Sequence, residues 1–210
     1  MTAFRFQQAF AWRLLSVVVL LILGAIMLAG RLGLHAISSE VGPLETGQLV
    51  FLSAAAILFA LCAILDHGAG RMAAVVAAVG GLVLGLRELE LPVTGPLTAY
   101  LVSDGFRIHE ALLFGLPLLA YAVARPDHVR ALVRFALAFK AWPLLPILAL
   151  LAAGSVFDGR YLLDGIAYLP TFLEETGELA AYGIYLLMAI QVLVNLLREP
   201  VSVGRFADAA

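Results

Sequence analysis

FLEETGELAAYGIYLLMAIQVLVNLL, residues 172–197, combines a membrane-length apolar run with a group of glutamates near its start. On a helix, Glu174 and Glu178 are four residues apart and Glu175 and Glu178 are three apart, so the three carboxylates can converge on one side. Carboxylates inside a membrane-spanning segment are costly unless they are paired, protonated or bound to a cation. This stretch therefore predicts a transmembrane helix that carries a polar site.

The composition of the whole chain is that of an integral membrane protein. Of its 210 residues, 63% are hydrophobic and 13% are charged, and the mean hydropathy is +1.01. Soluble domains carry about 25% charged residues. The apolar runs are long enough for membrane helices and lack the alternation of a membrane barrel. We therefore expect an all-α polytopic helix bundle in a lipid bilayer, and this composition excludes a nucleic-acid-binding surface.

Hydropathy predicts six transmembrane helices in a single membrane domain, residues 1–210. The first apolar run follows Arg5 and Arg13 and is too long for a signal peptide, so we interpret it as an uncleaved helix. The stretch 93–106 is too apolar for an ordinary loop and predicts an interfacial or re-entrant segment. The predicted spans are residues 14–33, 48–65, 72–89, 107–124, 134–154 and 171–196.

Six spans put both termini on one side of the membrane, and the charges divide unequally between the two sides. Nine of the 13 Lys and Arg residues fall on the side of the termini and four on the other side. The positive-inside rule therefore predicts that both termini lie in the cytoplasm. Eleven of the 15 acidic residues fall on the opposite, periplasmic side. Because acidic residues contribute little to orientation, this excess implies a counter-charge, protonation or a cation.

Glu178 is the strongest single candidate for a functional residue. It lies deepest among the three glutamates, and its helical face continues into Tyr182 and Tyr185, so this stripe should face the bundle. For Glu174 and Glu175 there is also a simpler explanation than a functional role, because the helix dipole favours acidic residues in the first turn of a helix.

The other candidates lie at the predicted periplasmic ends of different spans. Arg87 lies close to the hydrocarbon region, so we expect it to pair locally or with the glutamates of the last span. His109 opens the fourth span, and histidine is the commonest protein ligand of metals. The predicted metal ligands are Glu174, Glu175, Glu178, Glu88 and His109, with Glu40, Glu45, Arg87, Glu90, Glu110 and Tyr182 as possible additions.

Three short patches resemble a group of uncharacterised multi-span bacterial membrane proteins. The patches are E-x-G-x-x-E at residues 40–45, R-E-x-E at residues 87–90 and E-E-x-x-E at residues 174–178. The resemblance covers most of the chain in layout but only these patches in residues. Glu90 stands where the group's pattern leads us to expect an aspartate. Since no activity is established for the group, the resemblance implies a protein of the bacterial inner (plasma) membrane and assigns no catalytic roles.

The leading functional hypothesis is a cation-binding site on the outer side of the bundle. Carboxylates suit hard divalent ions such as Ca²⁺, Mg²⁺ or Mn²⁺, and a histidine would admit Zn²⁺. The site could belong to a metal-dependent hydrolase, to a small proton- or cation-coupled transporter, or to an accessory subunit that docks a membrane-protein partner. A transporter needs a polar path across the membrane, and beyond Tyr185 the last span offers only Gln191 and Asn195.

Overall fold

The computed structural model describes residues 3–39, 42–89, 93–157 and 166–198, and every regular element in these ranges is a helix. Pro43, Pro96 and Pro126 each stand at the start of a helix, where a missing N–H costs nothing. The helices are α1 (Gln8–Leu32), α2 (Leu34–Ile37), α3 (Pro43–Leu65), α4 (Gly70–Arg87), α5 (Pro96–Leu101), α6 (Asp104–Ala124), α7 (Pro126–Leu137), α8 (Leu144–Phe157) and α9 (Leu169–Arg198).

Five of these helices, α1, α3, α4, α6 and α9, are long and apolar enough to cross a membrane. Each coincides with a span predicted from hydropathy, and the ends differ by at most six residues. The outer helices α1 and α6 bury only 11% and 6% of their most apolar windows. Such exposed apolar surface is compatible with an integral membrane protein in a lipid bilayer. The stretch 93–106 contains the short helix α5 and the start of α6.

The predicted fifth span, residues 134–154, is divided between two helices in the structure. Helix α7 ends at Leu137, turns occupy residues 138–143, and α8 begins at Leu144. Phe139 has a φ of 52°, which a right-handed helix does not allow, and Pro143 cannot donate a backbone hydrogen bond. Hydropathy alone cannot detect this break. The resulting 14-residue α8 is about 21 Å long, shorter than a hydrocarbon core of about 30 Å.

Helix α9 lies at the centre of the described structure and packs along α1, α3 and α8. The approach is close because small residues line α9, with Ala180, Ala181 and Ala189 fully buried. Gly154 of α8 lies against the backbone of α9 at Glu174, and Gly177 of α9 lies against the backbone of α8. Small residues at helix crossings are the usual means by which membrane helices pack closely.

Contacts along α9 define two ends of the bundle. Near its start, Gln48 of α3 donates a hydrogen bond to Glu175. Near its finish, Asn195 donates a hydrogen bond to the carbonyl oxygen of Ala3. We call the first region the carboxylate end and the second the N-terminal end.

The packing predicts that Gly183→Val destabilises the protein. A Cβ atom at Gly183 would collide with the side chain of Leu21 on α1 and would also approach Phe51 and Val17. Overpacking of this kind costs about 1–3 kcal/mol. Gly24→Val is the matched control, because a Cβ at Gly24 meets nothing within 4 Å. We expect a lower thermal unfolding midpoint in detergent for Gly183→Val alone. Equal midpoints for the two variants would contradict this packing.

Candidate functional site

Two carboxylates and one arginine meet between α4 and α9 at the carboxylate end. Glu88 and Glu178 have side chains only 13% and 12% exposed. Arg87, 65% exposed, places its Nε 3.7 Å from Oε1 of Glu88 and its Nη2 3.9 Å from Oε1 of Glu178. These are ion pairs at distances too long for hydrogen bonds. The expectation that Arg87 pairs either locally or with the glutamates of the last span is confirmed, and the structure shows both kinds of partner.

Tyr182 fixes the position of Glu88 from the neighbouring helix. Its side chain is 1% exposed, and its hydroxyl donates a hydrogen bond of 2.9 Å to Oε1 of Glu88. Tyr185, one turn further along α9, is also buried and donates to the carbonyl oxygen of Ala77 on α4. The predicted polar stripe of α9 therefore faces the bundle. This orientation was expected, because polar side chains exposed to lipid are energetically unfavourable.

Glu175 is held by a residue that the sequence reasoning missed. Gln48 of α3 is fully buried, and its Nε2 donates to Oε2 of Glu175 at 2.7 Å and to the Glu175 carbonyl oxygen at 3.1 Å. The only signal in the sequence is an amide side chain at the first position of the predicted span 48–65. The contact links α3 to α9 and places Glu175 beside the same group of carboxylates.

The interpretation of Glu174 and Glu175 as first-turn residues stabilised by the helix dipole is wrong. Helix α9 begins at Leu169 and has no acidic residue in its first turn. The dipole effect is concentrated in that turn, so it does not explain two glutamates that lie further along the helix.

Negative charge accumulates around these side chains. The carboxylates of Glu175 and Glu178 interact electrostatically with each other, and both interact with Glu88 and Glu174. Glu175 also interacts with Glu45 at the start of α3. We call Glu88, Glu175 and Glu178 the carboxylate cluster. It brings together three predicted site residues from two helices, with Glu45 and Glu174 near its edge.

Two polar atoms beside the cluster have no hydrogen-bond partner. The Oε1 atom of Gln48 and the Oγ1 atom of Thr176 are both buried and unpaired among the described residues. Thr176 lies next to Glu175 on α9. A buried polar group without a hydrogen-bond partner costs about 1–3 kcal/mol, so the described residues leave this polar part of the interior incompletely satisfied.

His109 and Glu110 form a separate polar group on α6. Nδ1 of His109 lies 2.6 Å from the hydroxyl of Tyr100, and Oε2 of Glu110 accepts a hydrogen bond of 3.1 Å from Arg107. Within the described ranges, no hydrogen bond or ion pair joins His109 or Glu110 to Glu175 or Glu178. Both residues instead line a cavity of about 270 Å³ with Leu86 of α4.

The remaining predicted residues do not complete a metal centre in this geometry. Glu40 and Glu90 lie outside the described residues. Among the residues that are described, no group of three or more His, Cys, Asp or Glu side chains is arranged to hold a metal ion. The carboxylate cluster is therefore a concentration of charge and not a preformed coordination shell.

Comparison with known proteins adds no functional assignment. No protein-family model, curated protein or solved structure matches this chain. The chemistry of the site must therefore be argued from its own residues.

The geometry predicts that Tyr182→Phe weakens the contact between α4 and α9. Loss of a hydrogen bond to a charged group costs about 1.5–3 kcal/mol. Tyr121→Phe is the control, because the Tyr121 hydroxyl is paired with His128 at 3.0 Å, away from any carboxylate of the cluster. We expect thermal unfolding to show a larger loss for Tyr182→Phe. In a Glu88→Ala background that loss should shrink by more than about 0.5 kcal/mol. An unchanged loss would show that the bond to Glu88 is not its cause.

Proposed function

We propose that the chain is an integral membrane protein that binds a hard divalent cation at the carboxylate cluster. The observation that carries this proposal is the meeting of Glu88 and Glu178 at one mostly exposed arginine, with Glu175 close enough to interact electrostatically with both carboxylates. Among the described residues, three carboxylates with one guanidinium beside two of them leave an excess of negative charge in a partly buried setting. Such an excess requires protonation or a further cation.

The ligand atoms at the cluster favour a hard cation. Carboxylate oxygens and the free amide oxygen of Gln48 are ligand types that Ca²⁺, Mg²⁺ and Mn²⁺ prefer. His109 binds to Tyr100 instead, so an imidazole that would favour Zn²⁺ is not part of this group. Because the cluster is not preformed, binding requires the carboxylates to rotate toward a common point.

Arg87 is the counter-ion of the cluster in the absence of a metal ion. Its two ion pairs are long, and its side chain is largely exposed, so it can swing into solvent at little cost. A divalent ion would then compete with an internal monovalent charge. Loss of Arg87 should strengthen cation binding, whereas loss of a carboxylate should weaken it.

The proposal is limited to binding on one side of the bundle. Beyond Tyr185 the buried face of α9 continues through Met188, Ala189 and Val192, which are apolar. Gln191 accepts a hydrogen bond from Arg13 and donates to Asn195 at the N-terminal end. The described residues therefore provide no continuous polar path for a transported ion between the two ends.

Titration of the purified protein with Mn²⁺ and Ca²⁺, followed by calorimetry, tests the site. We expect Glu178→Gln to lower the affinity by at least about tenfold, the smallest effect typical of losing a group that supports a metal site. Arg87→Gln should raise the affinity, because it removes the competing charge. Elemental analysis of protein purified without chelators gives an independent measurement.

Asp127→Asn is the matched control, because it also removes one negative charge. Asp127 is exposed and pairs with Arg130 on α7, outside the cluster. We expect its metal affinity to equal that of the wild type. The proposal fails if the wild type binds neither ion near neutral pH, or if Glu178→Gln and Asp127→Asn behave alike.

A further inference from the structure

Two adjoining cavities lie at the N-terminal end of the bundle, away from the carboxylate cluster. The inner cavity has a volume of about 230 Å³ and the outer one about 590 Å³. Phe4 and Phe6 line both, so these two side chains form the boundary between them. The inner cavity has mainly apolar walls, and the outer cavity adds two basic side chains, Arg5 and Lys140. We call the two adjoining cavities the recess.

The inner cavity is suited to hydrocarbon. Its walls come from the N-terminal segment, α3, α4, α7, α8 and α9, and include Phe59, Leu132, Phe135 and Met188. The one hydroxyl in its lining, that of Tyr185, already donates to the carbonyl oxygen of Ala77. An apolar cavity of about 150 Å³ is enough to hold benzene. The larger volume here can take a segment of one acyl chain.

The outer cavity carries positive charge. Arg5 and Lys140 both line it, and neither has a carboxylate partner among the described residues. Lys140 lies in the turn that follows Phe139, whose positive φ interrupts the helical backbone between α7 and α8. Trp142 closes one wall and donates from Nε1 to the carbonyl oxygen of Phe6 at 3.2 Å. Tryptophan is enriched where protein meets the headgroup region of a bilayer.

Helix α7 runs beside this recess and is amphipathic. It buries Phe135 and exposes Asp127, Arg130 and Arg134. A short helix with one apolar face and one basic face is typical of segments that lie in the membrane interface. The recess therefore opens where a charged headgroup and the start of an acyl chain would both be available.

We propose that this recess binds one anionic phospholipid molecule. One acyl chain enters the inner cavity past Phe4 and Phe6, and the phosphate group lies between Arg5 and Lys140. Charge complementarity selects an anionic headgroup over a zwitterionic one, and the adjoining apolar cavity selects a lipid over a free phosphate ion. This binding is independent of the cation site at the other end of the bundle.

Native mass spectrometry of the full chain, released from detergent, tests the proposal. The probes are phosphatidylglycerol and phosphatidylcholine with identical acyl chains. We expect phosphatidylglycerol to bind more tightly, and Arg5→Gln with Lys140→Gln to reduce its affinity by roughly ten- to thirtyfold, since each basic residue near a surface contributes about a factor of five. Ala136→Leu should also weaken binding, because it fills the inner cavity without changing charge.

Arg31→Gln with Arg71→Gln is the control, because both arginines are exposed and neither lines the recess. This pair removes the same charge and should leave phosphatidylglycerol binding unchanged. Equal loss in both double variants would overturn the proposal, since general surface charge would then explain the binding. Equal affinity for the two lipids, or complete displacement by millimolar inorganic phosphate, would also overturn it. Retained folding of each variant is checked by its thermal unfolding midpoint.

Discussion

The close packing of α9 against its neighbours is the constraint on which the rest of the structure depends. Lipid is as apolar as leucine, so helices in a bilayer associate through close fit and polar contacts more than through hydrophobic burial. In α9 the small residues around Ala180 and Ala181 permit the close fit. Tyr182, Tyr185 and Glu175 supply polar contacts to α4 and α3. The same face of one helix therefore determines both the packing and the position of the carboxylates.

Hydropathy was sufficient to predict the all-helical class and the five helices that are long enough to cross a membrane. The bilayer imposes a length on an apolar run, so length and composition together indicate a span. The sequence also predicted that the stripe through Tyr182 and Tyr185 faces the bundle. Polar side chains are costly in lipid, so the helix must turn that face toward the other helices. The number of six spans remains a prediction, because the 14-residue α8 is shorter than a full span. The cytoplasmic position of both termini depends on that number and remains a prediction as well.

Other features depended on backbone conformation and helix rotation, which hydropathy does not encode. The break at Phe139 follows from one residue with positive φ inside an apolar stretch. The bond from Gln48 to Glu175 depends on how α3 is rotated about its own axis. His109 shares a membrane side with the glutamates in the predicted topology, yet its hydrogen-bond partner is Tyr100. A shared side limits which residues can meet, but it does not bring them together.

The arrangement of Arg87 explains how the carboxylate cluster can form within the folded bundle. A buried carboxylate without a partner is strongly destabilising, whereas a permanent tight ion pair would leave no site for an external cation. Arg87 provides an intermediate solution, because it approaches Glu88 and Glu178 at 3.7 and 3.9 Å from a largely exposed position. Its charge offsets part of the repulsion, and its exposure keeps the pairs weak. A cluster held in this way is stable enough to form, and under the proposed function a divalent cation would compete with Arg87 for its carboxylates.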